Sequence, residues 1–354
     1  MSTPANVTRL LITGGAGFLG HHLVEHFLKN TSFEIVVLDK LTYASSGYDR
    51  LRDIAAFDDK RVRVLGCDLG NPVPQGVLRE IGAVDYVIHA AAESHVDNSI
   101  IDPLPFIQSN VVGTHHLLWS ILTGLNHKQR SVRRIFCVST DEVYGPASWE
   151  HPGNIPTDPF RPANPYAAAK AGGECIAMAY ANTYKLPITI VSTMNLIGER
   201  QHAEKFVPLV IRKVLAGETL HVHADPSRTR SGTRFYIHCR NYASALQFLI
   251  KRSSLINDGV TDNADAFAMP LKLHVAGERE ISNLDLAQMI ASVIGKPLRY
   301  DLVDFHSSRP GHDLRYALDG SEIRAMGWEQ PLDIVKSLEK TVRWFLDHPH
   351  WLGD

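Results

Sequence analysis

Short apolar runs alternate with helical patterns along the first half of the chain. Positions repeating every three or four residues predict helices over Phe18–Lys29, Asn110–Leu122 and Tyr166–Tyr184. Six short runs rich in β-branched residues predict strands, and several of them are apolar almost throughout; the runs are Arg9–Thr13, Glu34–Leu38, Val62–Leu65, Val84–His89, Arg134–Ser139 and Ile188–Ser192. Strands of this kind are buried on both faces, as in parallel sheets covered by helices. The pattern therefore predicts an α/β fold with a doubly wound parallel sheet.

The pattern changes beyond about residue 195, where a more polar stretch mixes with shorter elements. This change predicts a smaller α/β lobe after the sheet. Near the carboxyl end, Pro331 precedes apolar residues spaced by three or four, which predicts an amphipathic helix with proline in its first turn. The apolar residues of that predicted helix are Leu332, Val335, Leu338, Val342 and Phe345.

A glycine-rich segment follows the first predicted strand directly. Gly14, Gly17 and Gly20 lie between that strand and the next helix, and Asp39 ends the second strand. Glycines at this point allow a tight turn and let backbone N–H groups approach a pyrophosphate, while the carboxylate can accept hydrogen bonds from ribose hydroxyls. A 2′-phosphate would be repelled by Asp39, so the motif favours NAD over NADP, a preference that Lys40 can weaken. The alternative is a glycine-rich turn with a capping aspartate.

Tyr166 and Lys170 form a Y-x-x-x-K pair in a predicted helix. Residues four apart share a helix face, so the ammonium group can stabilise a phenolate that takes a proton from a substrate hydroxyl. The pair is common by chance when it stands alone. After the glycine segment, and with Ser139 and Thr140 ending the fifth strand as hydroxyl donors, it indicates hydride-transfer chemistry.

Composition narrows the class of protein. The 354 residues are 44% hydrophobic and 21% charged, and the formal net charge is -2, so disordered, nucleic-acid-binding and membrane-surface proteins are not indicated. The first six residues lack a leader pattern and no long apolar span occurs, so we expect a cytoplasmic enzyme. Four scattered cysteines argue against a disulfide or zinc framework. The 18 histidines lack metal-ligand spacing, so we expect no metal.

With these motifs, the chain resembles the extended short-chain dehydrogenase/reductase family, and within it the nucleotide-sugar 4,6-dehydratases of the dTDP-glucose type. The resemblance covers nearly the whole chain and implies a Rossmann-type NAD-binding domain over residues 1–194. It also implies a mainly nucleotide-sugar-binding lobe over residues 195–354, some of whose segments can return to the sheet. The segments that carry it are Asp39–Ala44, Ala91–Asp97, Asn110–Thr114, Ser139–Gly145, Asn164–Lys170 and Arg309–Asp313.

Thr140-Asp141-Glu142 is the discriminating segment, because dehydration needs an acid and a base beyond the hydroxyl donor and the tyrosine. The resemblance implies that Glu142 removes the C5 proton of a 4-keto sugar and that Asp141 protonates the departing C6 oxygen. To act as an acid, Asp141 needs a raised pKa, from burial or from Glu142. Adjacent carboxylates can also be a solvated turn or a helix cap. Three alternatives stay open: a C4 epimerase or a uronate decarboxylase of the same fold, and a non-catalytic NAD(H)-binding protein.

The resemblance also implies ligand-binding residues and a homodimer formed through helices 110–122 and 166–184. Residues implied for NAD, besides Tyr166 and Lys170, are Gly14, Gly17, Phe18, Leu19, Gly20, Asp39, Lys40, Thr42, Asp68, Leu69 and Ala91. Those implied for the nucleotide sugar are Ser94, His95, Asn195, Glu204, Lys205, Arg234, Arg309 and His312. The departures from the family pattern at Asn98, Phe235 and Met194–Ile197 concern the sugar and nucleotide side, so they leave nucleotide and hexose identity open.

Overall fold

The computed structural model describes residues 7–42, 45–125, 132–253, 269–304 and 314–353. The strands are β1 Arg9–Thr13, β2 Glu34–Asp39, β3 Val62–Gly66, β4 Tyr86–His89, β5 Arg134–Thr140, β6 Ile188–Thr193, β7 Leu196–Ile197, β8 Thr219–Ala224, β9 Thr233–Arg234, β10 Ile237–His238, β11 Leu271–Val275, β12 Ile281–Ser282 and β13 Arg299–Asp304. The α-helices are α1 Phe18–Asn30, α2 Asp49–Asp53, α3 Gln75–Ile81, α4 Val96–Ile101, α5 Leu104–Ile107, α6 Gly113–Ser120, α7 Pro165–Tyr184, α8 Phe206–Ala216, α9 Cys239–Lys251, α10 Asn283–Ile294, α11 Ser321–Ala325 and α12 Ile334–Asp347. The 3-10 helices are Ala56–Asp58, Asp141–Tyr144 and Pro349–Leu352, and π-helical turns cover Gln108–Val112 and Ile121–Leu125.

The chain divides into two compact units. The first comprises Met1–Thr140, Pro165–Ser192 and Ala243–Leu273. The second comprises Asp141–Asn164, Thr193–Tyr242 and His274–Asp354. Each unit therefore contains several separate stretches of the chain.

A seven-stranded sheet organises the described part of the first unit, in the order β11-β6-β5-β4-β1-β2-β3. The pairs β1–β2, β2–β3, β1–β4 and β4–β5 are parallel. Strand order reverses between β1 and β4, and ligands of doubly wound sheets bind in the crevice at the carboxyl ends of such strands. This confirms the predicted Rossmann-type fold and places the loop after Thr13 at the reversal.

The six predicted strands are all present, with boundaries that differ by up to two residues. Strand β4 begins at Tyr86 rather than Val84, because the Asp85 carboxylate accepts the backbone N–H of Arg9 at 2.7 Å. The helix predicted over 110–122 is α-helical over Gly113–Ser120 and is flanked by two π-helical turns. The core of this unit includes Leu11, Ile135 and Ile190 from the strands and Leu117 from α6, all buried.

The second unit has short strand pairs and three packed helices. Strand β13 runs parallel to β8, with Arg299 opposite Thr219. Helices α8, α10 and α12 share a core that includes Val210, Ile290 and Leu338.

The carboxyl-terminal helix differs in its start from the prediction. It begins at Ile334 and not at Pro331, because the Asp333 side chain accepts the backbone N–H of Lys336 at 2.8 Å and so caps the helix. Val335, predicted on the apolar face, is 47% exposed, so that prediction was wrong. Ile334 and Thr341 are buried instead.

Two features are absent from the described ranges of the chain. Within them, no helix has the length and hydrophobicity needed to cross a membrane. Nor do those residues contain a group of three or more histidine, cysteine and acidic side chains placed to hold a metal ion. Cys137 and Cys239 are buried free thiols, and Cys67 and Cys175 are free as well.

Candidate active site

The loop between β1 and α1 requires glycine for steric reasons. Gly14 has φ 72°, and a Cβ there would lie 2.7 Å from the Cα atom of Ala91. A Cβ at Gly20 would lie 1.9 Å from the Gly14 carbonyl oxygen. The backbones of the loop, the helix and the chain after β4 therefore approach one another closely at the amino end of α1, where Phe18 and Leu19 form the first turn.

Asp39 ends β2 beside this loop. Its Oδ2 accepts the backbone N–H of Ala16 at 2.9 Å, and its Oδ1 accepts that of Leu41 at 2.8 Å. Each oxygen keeps a lone pair for a further donor such as a ribose hydroxyl. Lys40, predicted to weaken the NAD preference, forms an ion pair with Glu93 at 3.2 Å, so a carboxylate already partners its positive charge.

The other residues predicted around the cofactor lie in loops of the first unit. The backbone N–H of Ala91 donates to Thr13 Oγ1 at 3.3 Å, and the Leu69 carbonyl accepts from His116. Asp68 is exposed and accepts from the Gly70 N–H, while the Thr42 carbonyl accepts from Ser45. Gly14, Gly17 and Gly20 form a glycine cradle at the amino end of α1, and the Asp39 carboxylate lies beside it. This arrangement fits the pyrophosphate and ribose of a dinucleotide such as NAD.

Helix α7 carries the tyrosine and the lysine of the Y-x-x-x-K pair. The Tyr166 N–H donates to Ser99 Oγ at 3.1 Å, and its buried ring packs edge-on against Phe106. The Lys170 ammonium group donates to the Val138 carbonyl at 2.7 Å. Burial lowers the pKa of Lys170, and the negative charge of Glu174 opposes that shift.

Two adjacent hydroxyls at the end of β5 have different surroundings. The Ser139 hydroxyl donates to Glu174 Oε1, so its single hydrogen is already committed. Thr140 is the last residue of the strand and is also buried. The Ser139 hydroxyl is therefore used within the protein, and the role of Thr140 as a donor to a substrate oxygen stays a prediction.

A buried polar chain connects the first and fourth strands to the helices. Thr13 Oγ1 lies 2.7 Å from His89 Nδ1, and His89 Nε2 lies 3.0 Å from Thr114 Oγ1. Burial and the charge of Lys170 lower the pKa of His89 to about 3. This histidine is therefore neutral at physiological pH and serves as a hydrogen-bonding spacer.

In the second unit, Asp141 and Glu142 begin the 3-10 helix that directly follows Thr140 in the chain. Asn164 Nδ2 donates to Glu142 Oε2 at 2.9 Å. Burial and the neighbouring charge of Asp141 raise the pKa of Glu142 to about 7, against the hydrogen bond from Asn164 and the charges of Arg234 and Lys205. The raised pKa is therefore established for Glu142, and the raised pKa expected for Asp141 stays a prediction.

The predicted cations of the second unit occur in different settings. Lys205 precedes α8 as its N-cap residue. Arg234 Nη1 donates to the carbonyls of Thr233 and Leu314, both at 2.7 Å, and the guanidinium carbon lies 4.9 Å from the centre of the Tyr316 ring. Part of the Arg234 donor set is therefore used internally, although its charge acts on Glu142.

The remaining predicted substrate residues are dispersed. Ser94 is exposed, and His95 caps α4 by accepting the Asn98 N–H at 3.4 Å. Asn195 is exposed with φ 36°, and Glu204 is exposed beside His202. Arg309 and His312 lie outside the described residues.

Several polar residues of these sites escaped the sequence analysis. Asn164 was named only as the first residue of the Asn164–Lys170 segment, although its position directly before Pro165 and Tyr166 made it a candidate site residue. Asn110 exchanges two hydrogen bonds with the backbone of Glu93 and so fixes the loop after β4. Glu174, four residues after Lys170, pairs with Lys272 at 2.7 Å. The four-residue helical spacing from Lys170 could have identified Glu174, whereas nothing in the sequence identified Lys272.

Comparisons with known proteins identify the family of the chain. A sequence profile of the family described as GDP-mannose 4,6 dehydratase matches residues 11–341. A dTDP-glucose 4,6-dehydratase from Neisseria gonorrhoeae is 35% identical over 356 residues, covering 96% of each chain.

A trifunctional UDP-glucose 4,6-dehydratase/UDP-4-keto-6-deoxy-D-glucose 3,5-epimerase/UDP-4-keto-L-rhamnose-reductase from Arabidopsis thaliana is 32% identical over 98% of this chain. The match covers 48% of that relative, so the chain spans about half its length. Among solved structures, DesIV (dTDP-glucose 4,6-dehydratase) from Streptomyces venezuelae, with NAD and TYD bound, is 33% identical. It has a TM-score of 0.80, and the match covers 98% of this chain and 99% of that one.

Proposed function

The chain belongs to the GDP-mannose 4,6 dehydratase family of extended short-chain dehydrogenases/reductases, and from this premise we propose the reaction that its residues perform. It is an NAD-dependent nucleotide-sugar 4,6-dehydratase, which converts an NDP-hexose to the NDP-4-keto-6-deoxyhexose and water. The observation that carries this function is the Asp141–Glu142 pair, with Glu142 held by Asn164 and its pKa raised to about 7.

Bound NAD+ would supply the hydride chemistry at C4 and C6 of the hexose. Gly14, Gly17 and Gly20 at the amino end of α1 would hold its pyrophosphate, and Asp39 would accept hydrogen bonds from its ribose hydroxyls. Replacing Asp39 by Asn removes the repulsion of a 2′-phosphate. We expect this variant to lose affinity for NAD+ relative to NADP+ in titration calorimetry, and an unchanged preference would contradict the assignment.

Tyr166, as the phenolate, takes the proton of the C4 hydroxyl, and Lys170 stabilises that phenolate. Thr140 donates a hydrogen bond to the same sugar oxygen. These steps produce the 4-keto sugar, whose C5 proton is acidic because it lies next to the carbonyl group.

Glu142 removes the C5 proton, and Asp141 protonates the departing C6 oxygen. A carboxylate whose pKa is about 7 is a stronger base than an ordinary glutamate and is still half ionised at neutral pH. A simple epimerisation at C4 requires neither of these two groups.

For the substrate, we favour dTDP-glucose over UDP-glucose. Several relatives that match along nearly their whole length are dTDP-glucose 4,6-dehydratases, and the similar structure of DesIV was solved with TYD. Lys205 and Arg234 supply positive charge for the diphosphate, together with Asn195, Glu204, Ser94, His95, Arg309 and His312 as further contacts.

Incubation with dTDP-, UDP-, GDP- and CDP-hexoses, followed by mass spectrometry of the products, tests this function. Loss of one water without added NADH is the expected result, with dTDP-glucose the fastest substrate. An unchanged mass with altered sugar configuration would instead identify an epimerase, and loss of CO2 from a uronate a decarboxylase.

The protein forms a homodimer in the cytoplasm, where NAD and nucleotide sugars occur together. Helices α6 and α7 provide the interface, since Trp119 is 46% exposed and Tyr184 44% exposed on them. Sedimentation of a Trp119→Lys variant as a monomer, against a dimeric parent, would support this interface. A monomeric parent would refute it, and cell fractionation tests the location.

A further inference from the structure

Three charged or phenolic residues follow one another at four-residue spacing on α7: Tyr166, Lys170 and Glu174. Side chains four apart lie on one helix face. Glu174 is buried, and its Oε2 lies 2.7 Å from the ammonium nitrogen of Lys272, which is also buried, on β11. The helix that carries the Y-x-x-x-K pair is therefore joined to the edge of the sheet by a buried ion pair one turn beyond Lys170.

A buried ion pair contributes little net stability to a fold. Desolvation of both charges offsets much of their attraction, and apolar residues of similar size commonly serve stability as well or better. Glu174 is further fixed by the Ser139 hydroxyl, which donates to its other oxygen. Its carboxylate thus has a defined position between β5 and β11, next to the turn that carries Lys170.

We propose that Glu174 and Lys272 form a positioning pair that supplies the Lys170 ammonium group with a fixed countercharge. The inference rests on the proposed function, in which Lys170 must stay charged to stabilise the Tyr166 phenolate. Lys272 holds the carboxylate in place, and Glu174 acts on Lys170.

The other groups around Lys170 do not supply this countercharge. Burial raises the pKa of Cys137, on β5, to about 12, so it stays a neutral thiol. His89, on β4, is neutral because its pKa is about 3. Tyr166, on α7, is the group that Lys170 serves. Glu174 is therefore the carboxylate, within the described residues, that opposes the effect of burial on the pKa of Lys170.

The test measures the titration of Lys170 directly in the full-length protein. Lysines are labelled with trace acetic anhydride at a series of pH values, and the acetylated peptides are quantified by mass spectrometry. Exposed Lys29, whose side chain is 69% accessible, serves as the internal reference. Only the neutral amine reacts, so the labelling rate reports the fraction of Lys170 that has lost its proton.

Glu174→Gln removes the countercharge, and we expect Lys170 to label about tenfold faster at a fixed pH below its titration. Because this variant also leaves a buried ammonium group without its partner, its melting temperature is expected to fall. The double variant Glu174→Gln/Lys272→Met removes both charges. It should regain thermal stability yet keep the faster labelling of Lys170, and its alkaline limb of activity should shift to lower pH.

Glu34→Gln is the matched control, because it breaks the Arg9–Glu34 pair of the same unit, where β1 and β2 begin. Its Lys170 labelling should equal that of the parent. If the stable double variant labels Lys170 like the parent, the pair is purely structural and the inference is overturned. If labelling shifts as expected but no nucleotide sugar is dehydrated, the positioning pair is supported and the proposed function alone fails.

Discussion

The cation of the first unit and the acid of the second mirror one another. Burial lowers the pKa of Lys170 and raises that of Glu142, so desolvation drives both groups toward neutrality. In each case opposite charges resist the change: Glu174 acts on Lys170, while Arg234 and Lys205 act on Glu142. The two groups differ in how their surroundings are built.

Lys170 and its countercharge lie one turn apart on a single helix, whereas the surroundings of Glu142 come from distant segments. Asn164 precedes α7, Lys205 precedes α8, and Arg234 ends β9. The first arrangement is set by helical periodicity and the second by the tertiary fold. Substitutions around Lys170 and around Glu142 should therefore affect different steps of the reaction.

Tyr166→Phe should have the largest effect, since it removes the base of the first step. We expect dehydration and the reduction of bound NAD+ to fall together by roughly 10³-fold, within the range for loss of an acid–base group. Absorbance at 340 nm after mixing with dTDP-glucose measures the reduction. The measurement is made at saturating NAD+, and a variant that still reduces NAD+ at the normal rate would remove Tyr166 from this role.

Glu142→Gln should separate the two units' contributions. We expect dehydration to fall by about 10²-fold or more, while NAD+ is still reduced by substrate, so that NADH accumulates at the 4-keto stage. Stopped-flow absorbance together with product mass spectrometry follows both steps. Normal turnover would show that another group removes the C5 proton.

Asn164→Ala should act through the Glu142 carboxylate. Loss of the hydrogen bond to Oε2 raises the pKa of Glu142 further, so the acid limb of kcat should move to higher pH. We expect about a tenfold loss at pH 7 that is recovered near pH 9. Asn154→Ala is the control, because that amide donates to the Ala317 carbonyl at 3.2 Å. An equal loss at every pH would disprove the link.

The smallest effect concerns stability. The pKa of Glu142 is about 7 in the folded chain and near its ordinary 4.5 in the unfolded one, so unfolding releases its proton between these pH values. Its contribution to the free energy of unfolding is complete below pH 4.5 and is lost as the pH rises through 7. Relative to Glu142→Gln, the parent should lose on the order of a few degrees in melting temperature across this window. Scanning fluorimetry in matched buffers measures it, and a constant difference would contradict the shift.

Much of the first unit followed from the sequence alone. Apolar runs located six of the seven strands of the sheet, most clearly β1, β2 and β4, whose residues are almost all buried, while β11 was not predicted. The glycines predicted the loop after β1, because a Cβ at Gly14 or Gly20 would clash with the backbone. Boundaries were less certain where a side chain competes with the backbone, as Asp85 does before β4 and Asp333 before α12.

Some features of the site followed from the sequence, and others only from the tertiary structure. Spacing placed Lys170 one turn from Tyr166, since an α-helix has one period everywhere. Spacing could not show that Ser139 donates to Glu174, that Lys272 pairs with the same carboxylate, or that burial and Asp141 raise the pKa of Glu142.

The sequence thus determined the fold class, the cofactor loop and the chemical type of the reacting groups, because these depend on local geometry and residue identity. Tertiary structure alone decided which charges face one another and which are withdrawn from water. Those are contacts between segments far apart in the chain, and they shift the pKa of a group away from the value that its identity sets.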